Sequence, residues 1–313
     1  MLISVIIPAY NEAKGLKSCM EQTVNILKDL EFSYEIIVTD DGSTDESWNI
    51  LQDLTKDYSA LTAIRFSRNF GKEAAIIAGL TQASGDAAIV MDADMQHPPK
   101  LLTEMIRLWK KENFLIVEGV KESRQKESWL RRIGAETFYS LFTKTSGIDI
   151  RHSTDFKLLD RIVIDQYLAL PERGRFFRGL TAWLGFPKAS VYFVPADRLE
   201  SGSKWSIGSL VRLARRSLIS FTNMPLRLIT WFGLFTFIGS FVLGIQTLWN
   251  KFSGRAVDGF TTVILIQLAL GSLIMFSLGL IGEYLARIFE EVKSRPLYVI
   301  SDVEPKRSKK DEK

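Results

Sequence analysis

Residues 228–249 (LITWFGLFTFIGSFVLGIQTLW) and 260–282 (FTTVILIQLALGSLIMFSLGLIG) contain no charged side chain. As helices rising 1.5 Å per residue, both are long enough to cross a hydrocarbon layer about 30 Å thick. Core helices of that length keep a polar stripe toward water, and these two have none. Trp231 and Trp249 stand near the ends of the first span and Tyr284 follows the second, where interfacial aromatics sit. Two membrane helices are expected, and the rest of the chain must fold on either side of them.

The flanks set the expected orientation. The loop between the spans carries just Lys251 and Arg255 as basic residues. Arg212, Arg215, Arg216 and Arg227 precede the first span, and Arg287, Lys293, Arg295 and a basic end follow the second. The positive-inside rule then places both termini in the cytoplasm of a multi-pass cell-membrane protein. Met1 leads straight into LISVIIPAY, with neither a basic leader nor a cleavage site, so no signal peptide is expected. Residues 207–222, with Leu210, Leu213, Leu218 and Phe221 set against the three arginines, suit an amphipathic helix on anionic lipid. The expected organisation is a cytoplasmic domain over 1–200, a juxtamembrane helix over 201–225, the two spans within 226–286, and a basic tail over 287–313 whose last ten residues are disordered.

Across the first two hundred residues, apolar runs at 3–7, 34–39, 61–66, 87–91 and 114–120 alternate with helical periodicity at 15–30, 46–58, 72–83 and 99–112. Such alternation predicts an α/β fold with a mostly parallel sheet covered on both faces. Ser43-Thr44-Asp45-Glu46 reads as a capping box for the second helix. Charge totals of 40 basic and 36 acidic residues, net +4, give no reason to expect a nucleic-acid partner. Cys19 is the one cysteine, so no internal disulfide forms, as suits a reducing compartment. His97 and His152 are too few for a histidine-based zinc site.

Open α/β sheets bind ligands at the carboxyl ends of their strands. Three clusters fall there: Pro8-Ala9-Tyr10-Asn11-Glu12, Asp40-Asp41-Gly42-Ser43 and Asp92-Ala93-Asp94-Met95-Gln96. No glycine-rich phosphate loop follows an early strand, which argues against dinucleotide and P-loop chemistry. A metal is the natural substitute. In an extended segment Asp92, Asp94 and Gln96 point the same way, and their hard oxygens suit Mg²⁺ or Mn²⁺ shared with substrate phosphates. His97-Pro98-Pro99 then stops the strand and opens a helix, with His97 read as a structural group.

PAYNE, DDGSTD and DADMQHPP, in this order and spacing, resemble glycosyltransferase family 2, of GT-A fold. With two C-terminal spans the chain is similar to polyprenyl-phosphate glycosyltransferases: the dolichyl-phosphate mannose synthases and, closer, the bacterial bactoprenol glucosyltransferases. SRNFGKE at 67–73, TDFK at 154–157 and GSKW at 202–205 add to the resemblance, which covers about residues 1–300. It implies that Pro8, Tyr10 and Glu12 line the base and ribose, that Asp41 reads uracil, and that Lys72 meets the nucleotide or diphosphate. Asp92 and Asp94, with Gln96, would hold the metal and diphosphate, placing Asp94 among the catalytic groups. Asp155 matches the family's aspartate, as an orienting group or as a base. The Q-x-x-R-W motif of processive members is absent, so polymer extrusion is not expected.

A polyprenyl phosphate acceptor is already an anion, with a second pKa near 6, and needs cations and alignment more than a base. Arg124, Arg131 and Arg132, and Arg198, Ser203 and Lys204 beside the juxtamembrane helix, are placed to clamp it. Glu172, Arg173, Arg175 and Arg178 read as a flexible gating segment. The expected reaction is inverting transfer of one hexose from a UDP-sugar to undecaprenyl phosphate, for later decoration of a cell-surface polymer. Glucose is the first choice of sugar, N-acetylglucosamine the second, and mannose from GDP-mannose the third. The bilayer is a partner, and a homo-oligomer and a flippase are further expected ones. A non-catalytic membrane scaffold with the same fold stays open as the alternative. A transporter does not, because two spans without an internal ionisable residue offer no ion path.

Overall fold

In this computed structural model the described residues are 1–30, 32–94, 98, 100–121, 140, 143–144, 147, 153–194, 224–253 and 259–305. They fall into two compact units, Met1–Ser206 with Pro296–Lys313, and Ile207–Arg295.

The first unit is built from β1 (Leu2–Ala9), α1 (Ala13–Lys28), β2 (Ser33–Asp40), α2 (Ser47–Asp57), β3 (Leu61–Phe66), α3 (Lys72–Gln82), β4 (Ala87–Val90), α4 (Leu101–Glu112) and β5 (Ile116–Lys121). There follow β6 (Lys157–Asp160), α5 (Arg161–Ala169), α6 (Phe177–Trp183), β7 (Lys188–Phe193) and, after the second unit, β8 (Ile300–Glu304). The strands form one sheet in the order β7-β5-β6-β4-β1-β2-β3-β8. Pairings β1–β2, β1–β4, β2–β3 and β5–β7 are parallel, while β6 runs antiparallel to β4 and β5, and β8 antiparallel to β3.

The central strands are buried on both faces, as their unbroken apolar runs require. On one face Ile3, Val5, Ile7, Ile36, Val38 and Ile89 pack with Leu16, Met20 and Leu27 of α1, Leu51 and Leu54 of α2, and Leu102 and Met105 of α4. On the other, α3 comes so close that a Cβ on Gly79 would lie 2.3 Å from Ile6 Cγ2. Cys19 is fully buried in this core, and burial pushes its thiol up to about 12, so it is a packing residue.

Chain order reverses at β1, which sends its successors β2 and β3 to one side and has β4 on the other. The crevice outside the carboxyl ends of β1 and β4 is therefore a topological switch point. Residues 8–12 at the end of β1, 40–43 at the end of β2, and Asp92 and Asp94 after β4 all come to this edge.

The second unit contains α7 (Met224–Phe252) and α8 (Phe260–Lys293). Each carries a stretch long and apolar enough to cross a membrane, Ile229–Gln246 and Ala269–Lys293, with none of it buried. Trp231, Phe235, Met275 and Phe276 are exposed. The expected tail from 287 departs from the structure: α8 runs on to Lys293, and residues 300–304 return to the first unit as β8. The interfacial helix expected at 207–222, and the last eight residues of the chain, lie outside the described residues.

Candidate active site

The loops that follow β1, β2 and β3 are stitched into one rim. Asn11 adopts a left-handed backbone, φ 54°, a conformation that asparagine tolerates better than most residues. From there its amide donates to Ser43 Oγ at 2.9 Å, and its Oδ1 accepts from the Thr44 amide at 2.9 Å. The Glu12 amide donates to Ser47 Oγ at 3.0 Å and the Ala13 amide to Asp45 Oδ2 at 3.2 Å. These two contacts satisfy donors that the start of α1 would otherwise leave bare. The capping box expected at 43–46 does not form. Glu46 makes no side-chain cap, and Asp45 accepts from the Ser47 amide and hydroxyl instead, because Ser43 is already engaged by the loop after β1.

Gly42 ties in the third loop. It has φ +66°, and a Cβ there would lie 2.4 Å from the Arg68 carbonyl carbon, so neither its conformation nor its surroundings admit a side chain. Asp41 Oδ1 accepts from the Phe70 amide at 2.7 Å, and Oδ2 from the Gly71 amide at 2.9 Å. Burial pushes the Asp41 carboxyl up from its ordinary value while these amides oppose the shift. In this structure Asp41 faces the backbone of the loop at 67–71, so its contact is with that loop. The neighbouring Asp40 is fully buried, with Arg65 Nε 3.5 Å from an Oδ2 that makes no hydrogen bond. Pro8 is buried at the end of β1, Tyr10 is exposed beyond it, and Glu12 is partly exposed before α1.

Across the switch point lie Asp92 and Asp94, both partly exposed. The extended geometry expected for this motif is not adopted: β4 ends at Val90, and residues 93 and 94 lie in a turn. Gln96 and His97 lie outside the described residues. Lys72, the first residue of α3, sends its ammonium to Asp92 Oδ1 at 2.5 Å and to Asp155 Oδ2 at 2.6 Å. Sheet register explains this meeting of distant residues. Val90 pairs with Lys157 in the antiparallel β4–β6 ladder, so Asp92, two residues past β4, and Asp155, two before β6, come out side by side.

Asp155 is held from a second direction by Arg178, with Nε 2.6 Å from Oδ1 and Nη2 2.9 Å from Oδ2. Burial opposes its ionisation, but the charges of Lys72 and Arg178 outweigh it and hold the carboxyl far below the usual carboxylate range. Lys72 is shifted the other way: desolvation of its ammonium end between the carboxylates is overcome by the charges of Asp155 and Asp92, and the ammonium is held charged. In this structure the segment expected as a flexible gate at 172–178 makes specific contacts through Arg175, Phe177 and Arg178. Arg175 donates to the carbonyls of Tyr167, Leu168, Leu170 and Glu172, closing the end of α5. The Phe177 amide donates to Glu73 Oε2 at 2.9 Å.

Glu73 is the residue that sequence reasoning missed. Burial first, and Asp155 second, push its carboxyl up to about 8, against the Phe177 amide, Lys72 and Arg178. An acidic residue in a helix's first turn is ordinary, and nothing in the sequence marks its partner a hundred residues away. Of the expected phosphate clamp, Arg124, Arg131, Arg132, Arg198, Ser203 and Lys204 all lie outside the described residues. Among the described residues no three or more His, Cys, Asp or Glu side chains form a ready metal cage.

Residues 4–166 match the profile of Glycosyl transferase family 2, and residues 224–288 that of the GtrB C-terminal hairpin. An uncharacterized glycosyltransferase of Synechocystis sp., sll0501, is 37% identical over 96% of this chain and 95% of its own. The SfII prophage-derived bactoprenol glucosyl transferase of Shigella flexneri is 34% identical over 96% of this chain and 97% of that protein. Among solved structures, mannosyl-3-phosphoglycerate synthase from Rubrobacter xylanophilus shares the fold with a TM-score of 0.50 at 13% identity, covering 82% of this chain and 77% of its own.

Proposed function

The chain belongs to glycosyltransferase family 2, and we propose that it transfers one hexose, glucose, from a UDP-sugar to a polyprenyl phosphate such as undecaprenyl phosphate at the cytoplasmic face of the membrane. The observation that carries this reading is the Asp92–Lys72–Asp155–Arg178 cluster at the switch point between β1 and β4. Asp92 of this cluster and Asp94 beyond it follow β4 at the edge where open α/β sheets bind ligands, which supports a nucleotide site there.

The donor's diphosphate is assigned to the Asp92 and Asp94 side of the crevice, with the nucleoside toward Pro8, Tyr10 and Glu12. The residues fit a divalent ion: Asp92 already holds a cation, the Lys72 ammonium, against its Oδ1. Asp92 and Asp94, with Gln96, would hold Mg²⁺ or Mn²⁺. When bound, that ion takes up negative charge collecting on the departing diphosphate. Lys72 at the head of α3 lies between this side and Asp155 and brings a second positive charge to the crevice.

Asp155 is assigned as an orienting group on the acceptor side, acting through the Lys72 and Arg178 cations that it holds. A carboxylate clamped by two cations is a poor proton acceptor, and the acceptor phosphate is an anion that attacks without a base. Direct attack opposite the leaving diphosphate inverts the anomeric centre. The acceptor clamp is assigned to Arg124, Arg131, Arg198, Ser203 and Lys204. Residues 224–288, read as a membrane hairpin, keep the domain beside its lipid substrate, with both termini cytoplasmic.

The test uses the full chain in lipid nanodiscs with Mn²⁺, undecaprenyl phosphate and, in parallel, UDP-glucose, UDP-N-acetylglucosamine and GDP-mannose. Glucosyl lipid and UDP are expected with the first donor. A lipid product from another donor would reassign the sugar, and none from any donor would favour a scaffold.

A further inference from the structure

Lys72 stands between groups assigned to opposite halves of the reaction. Its Nζ is 2.5 Å from Asp92, on the donor side, and 2.6 Å from Asp155, on the acceptor side. We propose that Lys72 is a resident counter-cation which a divalent ion must displace from Asp92, so that loading of the donor site is passed to Asp155 through one side chain. The inference rests on the donor-site reading above and adds to it a coupling between the two substrates.

Three considerations support displacement. An ammonium this close occupies one edge of the carboxylate and repels an incoming divalent ion, so the two compete for Asp92. Asp155 has two further contacts, to Arg178, that do not involve Lys72, so a shift of Lys72 need strand no buried charge there. Finally, the Lys72 side chain is 40% exposed. Its backbone is fixed at the start of α3, but its four-carbon stem has room to swing without moving the helix. Once released, the ammonium is within reach of whichever phosphate oxygen arrives beside Asp155. Linkage makes the effect reciprocal: a phosphate that draws Lys72 away strengthens metal binding by the same factor.

The experiment measures Mn²⁺ affinity of the full chain in nanodiscs by electron paramagnetic resonance, without nucleotide or lipid acceptor. Lys72→Met is expected to bind Mn²⁺ about 10-fold more tightly than wild type, within the range usual for coupled sites. Lys72→Arg keeps the competing charge and is expected to bind as wild type does, while Asp92→Asn is expected to lose most binding. Lys72→Gln, with the same expectation as Lys72→Met, serves if the methionine variant does not fold. Unchanged or weaker binding in the neutral variants, with binding still lost in Asp92→Asn, would overturn the displacement while leaving the donor site standing. Wild-type binding in Asp92→Asn would overturn both.

Discussion

At Asp155 two cations meet a carboxylate that is 9% exposed, and removing its charge leaves them facing each other. Breaking a buried pair from one side typically costs about 3–5 kcal/mol. Because Lys72 and Arg178 are partly exposed, Asp155→Asn is expected to cost about 2 kcal/mol, with solvent screening the rest. Turnover should fall by about 100-fold, as for loss of a group that holds reactants in line. Thermal unfolding and a transfer assay check the two effects. A folded variant with full activity would remove Asp155 from the site.

Glu73 gives a pH dependence of definite sign. Its carboxyl titrates near 4.5 in the unfolded chain and is pushed up to about 8 in the folded one. Between those values the folded state holds the extra proton, so stability falls as pH rises through the window. The groups facing Glu73 are Asp155, Lys72, Arg178 and Tyr167. Asp155, whose pKa is depressed, contributes stability that is present above its unfolded value and lost at lower pH, outside this window. Glu73→Gln keeps an oxygen for the Phe177 amide and cannot ionise. Its melting temperature should decline less than that of wild type between pH 5 and pH 8, and parallel declines would contradict the account.

Among the elements, β8 has the most to reveal. It pairs with β3 from Ala63↔Glu304 to Phe66↔Ile300, with Tyr298 stacked on Phe66 at 4.9 Å. The Ser67 amide, at the start of the loop that Asp41 holds, donates to the Val299 carbonyl at 2.9 Å. A few net hydrogen bonds and one aromatic pair are together worth about 2–4 kcal/mol. A chain ending at residue 222 should therefore be less stable, by about that much, than one in which a short Gly/Ser linker replaces 207–295 and β8 is kept. Denaturant unfolding of the two compares them, and equal midpoints would make β8 dispensable.

The same element shows where the sequence stops being legible. Strands β1 to β5 announce themselves as apolar runs because the sheet buries both their faces. β8 reads ISDVE and is mostly exposed, and β7 alternates between exposed and partly buried positions up to a buried Phe193. Edge strands need no apolar run, and their partners lie far away in the chain. β6 is only four residues long, yet its antiparallel pairing with β4 brings Asp155 beside Asp92. The motifs are readable one at a time, but the Lys72 bridge depends on that pairing and is not. Asp41 illustrates the converse: its place at a strand end is legible, while its engagement by the Phe70 and Gly71 amides is not.

For the molecule as a whole, α7 and α8 expose large apolar side chains such as Trp231, Phe235 and Phe276 along their length. Soluble surfaces do not sustain such continuous patches, and a bilayer is the medium that fits them. On the proposed function, tethering beside the acceptor would raise the acceptor's effective concentration by orders of magnitude. The shortened chain that keeps β8 is accordingly expected to bind UDP as the full chain does, but to transfer to undecaprenyl phosphate in vesicles at least about 10-fold more slowly. Equal transfer by both would show that the hairpin does not present the substrate.

The most direct measurement is a crystal structure of the full chain grown with UDP and Mn²⁺, with the metal located by its anomalous scattering. The account predicts a peak against Asp92 and Asp94 where β4 ends beside β1, the uridine toward Pro8 and Tyr10, and the Lys72 ammonium withdrawn from Asp92. A metal and nucleotide bound at any other edge of the sheet would contradict it.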